Sequence, residues 1–190
     1  KSLYWERKMK ITPTRIKEVL LIEPTVHGDA RGFFMETYHQ QQFSQYGIDA
    51  NFVQDNHSGS ARGTLRGLHY QIQQPQGKLV RAVVGEIFDV AVDIRRSSPT
   101  FGQWVGENLS AENKHQLWVP EGFAHGFYVI SEWAEVLYKT TDFYAREWER
   151  AIRWDDPRIG IKWPLGDPGK PTLSVRDSQA GYLRDAEVFD

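Results

Sequence analysis

Apolar and polar residues alternate along short stretches of this chain, and turn-forming residues separate each stretch from the next. The clearest alternation runs from Glu86 to Ile94. One face of this stretch carries Phe88, Val90, Val92 and Ile94, and the other carries Asp89, Ala91 and Asp93. Because side chains at i and i+2 of a strand point to the same side, the pattern predicts a strand with a different environment on each face.

Several other stretches also have strand character. They are residues 19–22, 33–38, 51–56, 63–71, 80–84, 104–109, 116–119, 123–130 and 134–140. Short strands with turn signals about eight to twelve residues apart are typical of an all-β sandwich or barrel. The pattern therefore predicts a mainly β fold.

Polar and turn-rich segments lie between these strands. We expect a turn-rich loop over residues 27–32 and a polar loop over residues 57–62. Residues 40–46 predict a short helix that ends at Gly47. Prolines, glycines and charges dominate the C-terminal part, where one late helix is expected within residues 177–186. The few helices are thus short and lie mostly toward the C-terminus.

The composition is that of a globular protein with almost no net charge. The 190 residues include 23 Lys and Arg against 25 Asp and Glu, and 40% are hydrophobic. A polymeric nucleic acid requires a basic surface, so this balance argues against one as a partner, whereas a single nucleotide needs only a few well-placed cations. The absence of cysteine excludes disulfides and thiolate zinc sites.

The hydropathy of the chain predicts neither a membrane span nor a signal peptide. No apolar run approaches the roughly 20 residues that cross a bilayer, and no signal-peptide pattern is present. We therefore expect a cytoplasmic protein with no membrane partner. The charged stretch over residues 1–8 is interpreted as a remnant of cloning, with Met9 as the native start and one domain over residues 9–190.

Candidate chemistry concentrates in the stretch from Gly63 to Gln71 and in the lysine that follows it at position 78. In a strand, His69 and Gln71 point the same way. Two polar groups on one face of a run rich in Leu and Val indicate either a lined cavity or an ordinary half-solvated strand. This stretch alone leaves both interpretations open.

Two short motifs resemble those of the cupins, which are small double-sheet jelly rolls. The first contains Gly63, His69 and Gly85, and the second is the Pro-x-Gly-x-x-His pattern that ends at His125. In metal-binding cupins a second histidine follows the first by two positions, and here Gln71 stands in its place. Two imidazoles are too few for a first-row metal site, so we expect no metal.

A longer ordered set of motifs makes the resemblance specific. They lie at residues 31–36, 54–56, 63–71, 77–81, 88–93, 98–102, 109–113, 122–127, 138–139 and 155–157. In this order they resemble the dTDP-4-dehydrorhamnose 3,5-epimerase family, the RmlC-type cupins. The resemblance covers nearly the whole domain and implies a cupin jelly roll.

The family resemblance implies a reaction on dTDP-4-dehydro-6-deoxy-D-glucose, a dTDP-4-keto-6-deoxy sugar, in the biosynthesis of dTDP-L-rhamnose. The C4 ketone acidifies the hydrogens at C3 and C5, so each centre can be inverted through an enolate. Such a reaction needs a base on one face, an acid on the other and a cation near the oxyanion. It needs no cofactor and no metal.

The same resemblance implies the catalytic roles. His69 would be the base and Tyr138 the opposing acid, while Lys78 would stabilise the oxyanion. Asp177 would orient the histidine and stabilise its protonated form, as carboxylates do in other His–acid pairs. Asp89, on the inner face of its strand, is a rival for that orienting role.

The resemblance also implies which residues bind the substrate. Arg66 and Arg176 would suit the diphosphate, since a guanidinium matches phosphate oxygens. Further contacts are implied for Arg31, Glu36, Gln54, Asn56, Lys78, His125 and Glu149, and Tyr144 is a candidate for stacking on thymine. The family also implies a homodimer that exchanges N-terminal strands.

Two departures from the family pattern affect the geometry of the substrate site. Arg176 stands where the family usually has lysine, and the segment from His69 to Lys78 is about one residue shorter than usual.

Two alternative functions remain open: a single-centre epimerase or ketoisomerase of a related dTDP-4-keto sugar, and a non-enzymatic sugar- or nucleotide-binding cupin. Retention of an acid and a base together argues against the second.

Overall fold

Short antiparallel strands make up most of the fold in this computed structural model, which describes residues 9–167 and 169–190. The strands are β1 (Lys10–Pro13), β2 (Leu20–Glu23), β3 (Val26–Asp29), β4 (Gly32–Met35), β5 (Gln54–Ala61), β6 (Leu65–Gln71), β7 (Lys78–Val84), β8 (Glu86–Asp93), β9 (Trp104–Ser110), β10 (Gln116–Val119), β11 (Phe123–Val129), β12 (Trp133–Thr140) and β13 (Glu149–Ala151). The helices are α1 (Gln40–Ser44) and α2 (Val175–Ser178), with 3₁₀ turns at Arg146–Trp148 and Leu183–Asp185.

The strands form two large sheets that face each other. One sheet has six strands in the order β1-β2-β10-β7-β12-β5, and the other has five in the order β13-β6-β11-β8-β9. Strands β3 and β4 make a separate antiparallel hairpin. Neighbouring strands in a sheet are often distant in sequence, as in the pairing of β2 with β10. The predicted mainly β double-sheet jelly roll, with few short helices, is confirmed.

The alternation in β8 corresponds to two separate hydrophobic clusters. Ile87 and Ala91 belong to the cluster between the two sheets. Val90 and Val92 belong to a second cluster on the outer face of the five-stranded sheet, where the C-terminal segment packs through Leu183. Because both faces of this strand are covered, even its aspartates are buried.

The largest difference from the sequence prediction is β5, which occupies most of the predicted polar loop at 57–62. Its exposure alternates with period two: Gln54, Asn56, Ser58 and Ser60 are at least half-buried, and the residues between them are exposed. The strand lacks apolar residues on its inner face because that face is turned toward the space between the sheets, where polar side chains line a cavity. A search for apolar alternation therefore misses it.

Other boundaries also differ. The predicted turn-rich loop at 27–32 is mostly strand, because β3 and β4 pair there as a hairpin. The predicted late helix is two short pieces, α2 and the 3₁₀ turn Leu183–Asp185, separated by a bridge between Ile152 and Gly181. The helix predicted at 40–46 is confirmed as α1. The prediction for residues 1–8 lies outside the described residues. In the part of the chain that is described, no helix is long and apolar enough to cross a membrane.

Candidate active site

Side chains from both sheets line a cavity of about 190 Å³. Strands β5, β7 and β12 line it from the six-stranded sheet, and β6 and β13 line it from the five-stranded sheet. The lining residues are Gln54, Asn56, His69, Tyr70, Gln71, Gln76, Lys78, Tyr138, Tyr144 and Glu149. Of the two interpretations that the sequence left open for His69 and Gln71, the structure supports the lined cavity.

His69 and Asp177 form a hydrogen-bonded pair at this cavity. The His69 Nε2 atom lies 2.6 Å from Asp177 Oδ1, and the side chain of Asp177 is only 3% exposed. Burial raises the pKa of Asp177, but the hydrogen bond and the charge of His69 outweigh it, and the pKa is lowered overall. Asp177 is therefore a carboxylate at neutral pH and can hold the imidazole in one orientation.

The position of Asp177 comes from the short helix α2. Ser174 caps this helix and its Oγ accepts a hydrogen bond from the Asp177 backbone N–H at 3.0 Å. The other carboxylate oxygen, Asp177 Oδ2, accepts a hydrogen bond from the Gly67 N–H at 3.4 Å. The carboxylate is thus fixed between α2 and β6, although it lies 108 positions from its histidine in the sequence.

Asp89 contacts a different histidine. Its Oδ1 atom lies 2.8 Å from His125 Nε2, and both side chains are buried. His125 lies directly opposite His69 in the pairing of β11 with β6. Each histidine therefore has its own aspartate, and Asp89 makes no hydrogen bond with His69.

Tyr138 approaches the cavity from β12, in the sheet that faces His69. Burial raises the pKa of its phenol, the charge of Arg66 acts in the opposite direction, and the net shift is upward. The phenol therefore carries its proton at neutral pH. A proton donor and an imidazole lie on facing walls of one cavity.

Lys78 is a buried cation on β7, only 8% exposed. Burial lowers the pKa of its ammonium to about 8, while the charges of Glu149 and Asp89 act against that shift. At pH 7 the side chain is mostly protonated. The cavity thus contains one positive charge that has little water around it.

Glu149 links two other groups at the cavity wall. Its Oε2 atom accepts a hydrogen bond from the Tyr144 hydroxyl at 2.6 Å and forms an ion pair with Arg176. Burial raises the pKa of Glu149, but these hydrogen bonds and the positive charge of Arg176 lower it overall. Three residues expected at the substrate site are therefore already in contact.

The amide side chains of Gln71 and Gln54 hold the loop over residues 141–145 in place. Gln71 Nε2 donates to the carbonyls of Gln74 and Phe143, and its Oε1 accepts from the Ala145 N–H. Gln54 donates to Asn56 and accepts from the Tyr144 N–H. Gln71 thus has a structural role in addition to facing the cavity.

Sequence reasoning missed Gln76, which lines the cavity and donates to the Asp142 carbonyl at 2.9 Å. It lies in a polar connection, and no local pattern distinguishes it from its glutamine neighbours. Tyr70 was not singled out either, and its ring belongs mainly to the outer cluster.

The remaining predicted residues lie outside the cavity lining. Arg66 is exposed and donates to Ser60 Oγ at 3.0 Å, yet its charge acts on Tyr138. Arg31 and Glu36 are exposed, and Arg31 pairs with Asp29 in its own hairpin. Among the residues that the structure describes, no group of three or more metal-ligating side chains comes together.

Comparison with known proteins places this geometry in context. A model of the dTDP-4-dehydrorhamnose 3,5-epimerase family matches residues 13–185. The dTDP-4-dehydrorhamnose 3,5-epimerase of Pseudomonas aeruginosa is 63% identical over 182 residues, which is 95% of this chain and 99% of that protein.

Solved structures give the same result. RmlC from Legionella pneumophila, in complex with dTDP-4-keto-L-rhamnose, has a TM-score of 0.91 and 53% identity over 94% of this chain and 95% of that one. ChmJ, a 3'-monoepimerase from Streptomyces bikiniensis in complex with dTDP-quinovose, has a TM-score of 0.84 and 34% identity over 91% of this chain and 87% of that one. The same fold therefore occurs both in an epimerase named for one carbon centre and in epimerases named for two.

Proposed function

The chain belongs to the dTDP-4-dehydrorhamnose 3,5-epimerase family, and from this premise we propose how its own residues carry the reaction. The protein is an isomerase that inverts C3 and C5 of dTDP-4-dehydro-6-deoxy-D-glucose, the double epimerisation of dTDP-L-rhamnose biosynthesis. The assignment of His69, Tyr138, Lys78 and Asp177 to this chemistry is our proposal.

The proposal depends chiefly on one observation: His69 and Tyr138 line one cavity from facing sheets. Inversion requires that a proton leave one face of a carbon and that another arrive at the opposite face. A sugar ring between the two walls presents one face to the imidazole and the other to the phenol. His69 then removes the proton and Tyr138 delivers its replacement.

Asp177 supports the base. Its carboxylate fixes the imidazole by the 2.6 Å hydrogen bond and stabilises the imidazolium that forms when the proton is taken. The low pKa of Asp177 means that this negative charge is present throughout the neutral range. Asp89 does not compete for this role, because its hydrogen bond goes to His125.

Lys78 stabilises the oxyanion that develops at O4 when C3 or C5 loses its proton. A cation buried in a site of low polarity acts more strongly on developing charge than one in water. Its ammonium remains protonated at pH 7 because its pKa is about 8. No cofactor is required for these steps.

The nucleotide part of the substrate is assigned to the residues around Glu149. Arg176 and Arg66 bind the diphosphate, and the half-exposed ring of Tyr144 stacks on thymine. Gln54, Asn56, His125 and Glu149 complete the contacts in this protomer. Arginine at position 176 presents a planar fork of N–H donors to the phosphates, whereas the lysine usual in the family presents a single ammonium.

We also propose a homodimer that exchanges N-terminal strands. The exposed hairpin that carries Arg31 also carries Phe33 and Phe34, which are 61% and 66% exposed. Strand β1 is at the edge of the six-stranded sheet, where it can pair with another chain. In the dimer, Arg31 and Glu36 serve the partner's cavity. A location in the cytoplasm remains a prediction from the sequence.

The test is NMR of the dTDP-4-keto sugar with the enzyme in D2O. Deuterium at both C3 and C5, together with formation of the L-sugar, is the expected result. Deuterium at one carbon alone would overturn the assignment of two centres in favour of a single-centre epimerase. Deuterium at neither carbon would overturn the enzymatic role altogether and favour a binding protein.

A further inference from the structure

Four aspartates among the described residues are at most 3% exposed: Asp89, Asp93, Asp156 and Asp177. Three of them have hydrogen bonds on both carboxylate oxygens. Asp93 accepts from Arg95, Ser98 and Thr100. Asp156 accepts from the backbone N–H groups of Arg158 and Leu183, and Asp177 accepts from His69 and the Gly67 N–H.

Asp89 differs from these three. Its Oδ1 atom is bonded to His125, but its Oδ2 atom is buried with no hydrogen-bond partner. A buried carboxylate oxygen without a donor destabilises the folded state, and such a group in a native structure calls for an explanation. The other three aspartates indicate that this fold can satisfy a buried carboxylate fully.

The place of Asp89 in the fold supplies the explanation. It lies on the inner face of β8 between Ile87 and Ala91, which are both in the core between the sheets. Its partner His125 lies opposite His69 in the sheet. Lys78 lies on the facing sheet, and the charge of Asp89 raises its pKa against the effect of burial.

We propose that Asp89 is a positioning residue for the epimerisation: its buried carboxylate fixes His125 beside His69 and presents negative charge to the Lys78 ammonium on the facing sheet. Because Oδ2 of Asp89 accepts no hydrogen bond, no donor reduces the negative charge on that oxygen. This inference rests on the proposed role of Lys78 in the reaction.

Other titratable groups also face Lys78 in the cavity. Glu149, on β13, is the carboxylate that acts most strongly on the ammonium, and Asp89 is the next. Its Oε2 atom is already bound by Tyr144 and Arg176, so part of its charge is neutralised. The other titratable side chains that line the cavity are His69 and the phenols of Tyr70, Tyr138 and Tyr144. Asp89 therefore supplies negative charge that no lysine or arginine pairs with directly among the described contacts; its one partner is His125.

The first experiment measures the protonation of Lys78 without reference to turnover. The intact protein is labelled at graded pH with a trace of acetic anhydride, and acylation of the Lys78 peptide is quantified by mass spectrometry. The wild-type midpoint should lie at about 8. In Asp89→Asn, which is nearly isosteric, the midpoint should fall by about one pH unit, because one opposite charge is lost.

A second readout uses the reaction itself. With the midpoint one unit lower, kcat/KM should fall about fivefold at pH 8 and much less at pH 6, where both proteins hold a protonated lysine. A merely structural role would lower kcat/KM by the same factor at both pH values. Asp89→Glu keeps the charge and should restore the wild-type midpoint.

Asp93→Asn is the matched control. Asp93 lies on the same strand four positions later and is equally buried, but its partners are Arg95, Ser98 and Thr100. This variant should be less stable and should keep the wild-type Lys78 midpoint. Equal midpoints in Asp89→Asn and the wild type would overturn the inference.

A variant that does not fold and a failure of the proposed function can each be told apart from a failure of this inference. If Asp89→Asn does not fold, Asp89→Ser takes its place in the labelling measurement: a lowered Lys78 midpoint would support the inference, and the wild-type midpoint would overturn it. If the wild type exchanges no substrate hydrogen, the proposed function fails, whereas the labelling midpoints still decide whether Asp89 controls Lys78.

Discussion

At the scale of single residues, the proposed mechanism divides the proton transfers between His69 and Tyr138 on two walls of the cavity. If His69 removes the proton, His69→Ala should abolish both solvent exchange and epimerisation. If Tyr138 only delivers a proton, Tyr138→Phe should still form the enolate, which the imidazolium then reprotonates from the face it left. Inversion should fall by about 100-fold or more, while deuterium exchange falls less.

Both rates can be read from one NMR time course in D2O. The change from phenol to phenyl removes one hydroxyl and little volume, so the fold should be retained, which circular dichroism can check. Equal loss of exchange and inversion in Tyr138→Phe would contradict the role of Tyr138, because the phenol would then be needed before the enolate forms.

The pH dependence of the reaction also belongs to this scale. In the proposed mechanism Lys78 acts in its protonated form, and burial lowers its pKa to about 8. The value of kcat/KM should therefore fall as the pH rises through about 8, since this parameter reports the free enzyme. Residual activity of Lys78→Arg should show no such decline below pH 10, because a guanidinium stays charged. A wild-type profile that is flat from pH 7 to 10 would contradict this role of Lys78.

At the scale of elements, β6 and β11 approach each other closely at Gly67, two positions before His69. Gly67 has a φ of +132°, which favours glycine. A Cβ atom there would lie 2.6 Å from Gly126 Cα and 2.9 Å from the His125 carbonyl oxygen. The two strands can therefore approach only because these positions carry no side chain.

Gly67→Ala should therefore destabilise the protein by about 3 kcal/mol, from overpacking together with backbone strain. Urea unfolding followed by circular dichroism measures this change. Gly181→Ala is the control, since no heavy atom lies within 4 Å of its added Cβ, and it should change stability by less than about 0.5 kcal/mol. A Gly67→Ala protein as stable as the control would show that β6 and β11 have room to separate.

At the scale of the whole molecule, the exposed hairpin explains why Arg31 lies outside its own cavity. We expect light scattering to give a mass about twice the 22.0 kDa of one chain. If Arg31 serves the partner, Arg31→Ala and His69→Ala should each be inactive alone. Co-refolded in equal amounts, they should regain about a quarter of wild-type activity, because half of the dimers are mixed and each mixed dimer has one complete site.

Each chain refolded alone is the control for that mixing experiment. A stable monomer at micromolar concentration would contradict the dimer, and a mixture with no recovered activity would contradict the shared site. Recovery in the mixture cannot come from a monomer, because neither variant has both residues.

Metal dependence is a second property of the whole molecule. Exhaustive treatment with EDTA should leave kcat unchanged within about twofold, because acid, base and oxyanion stabilisation are all assigned to side chains. The measurement is turnover before and after chelation, with readdition of divalent metals. Loss of activity that one specific metal restores would contradict this prediction.

The sequence by itself determined the class of fold and most of the strands. Alternation with period two is a local property, so β8, β10 and β12 are evident from neighbouring residues alone. The ordered motifs also identified the family and singled out His69 and Tyr138, which line the cavity. The first residues of β5 were predicted as strand, but the rest was taken for a polar loop because its inner face is polar, and only the facing sheet explains why.

Tertiary structure alone decided which groups meet. Asp177 is 108 positions from His69, and Asp89 is 36 positions from His125, so no local pattern tells which aspartate pairs with which histidine. Sheet register and the packing of α2 against β6 make that choice. They also leave one oxygen of Asp89 without a partner. Long-range pairing depends on how distant strands align, and that alignment is a property of the folded chain rather than of any single stretch.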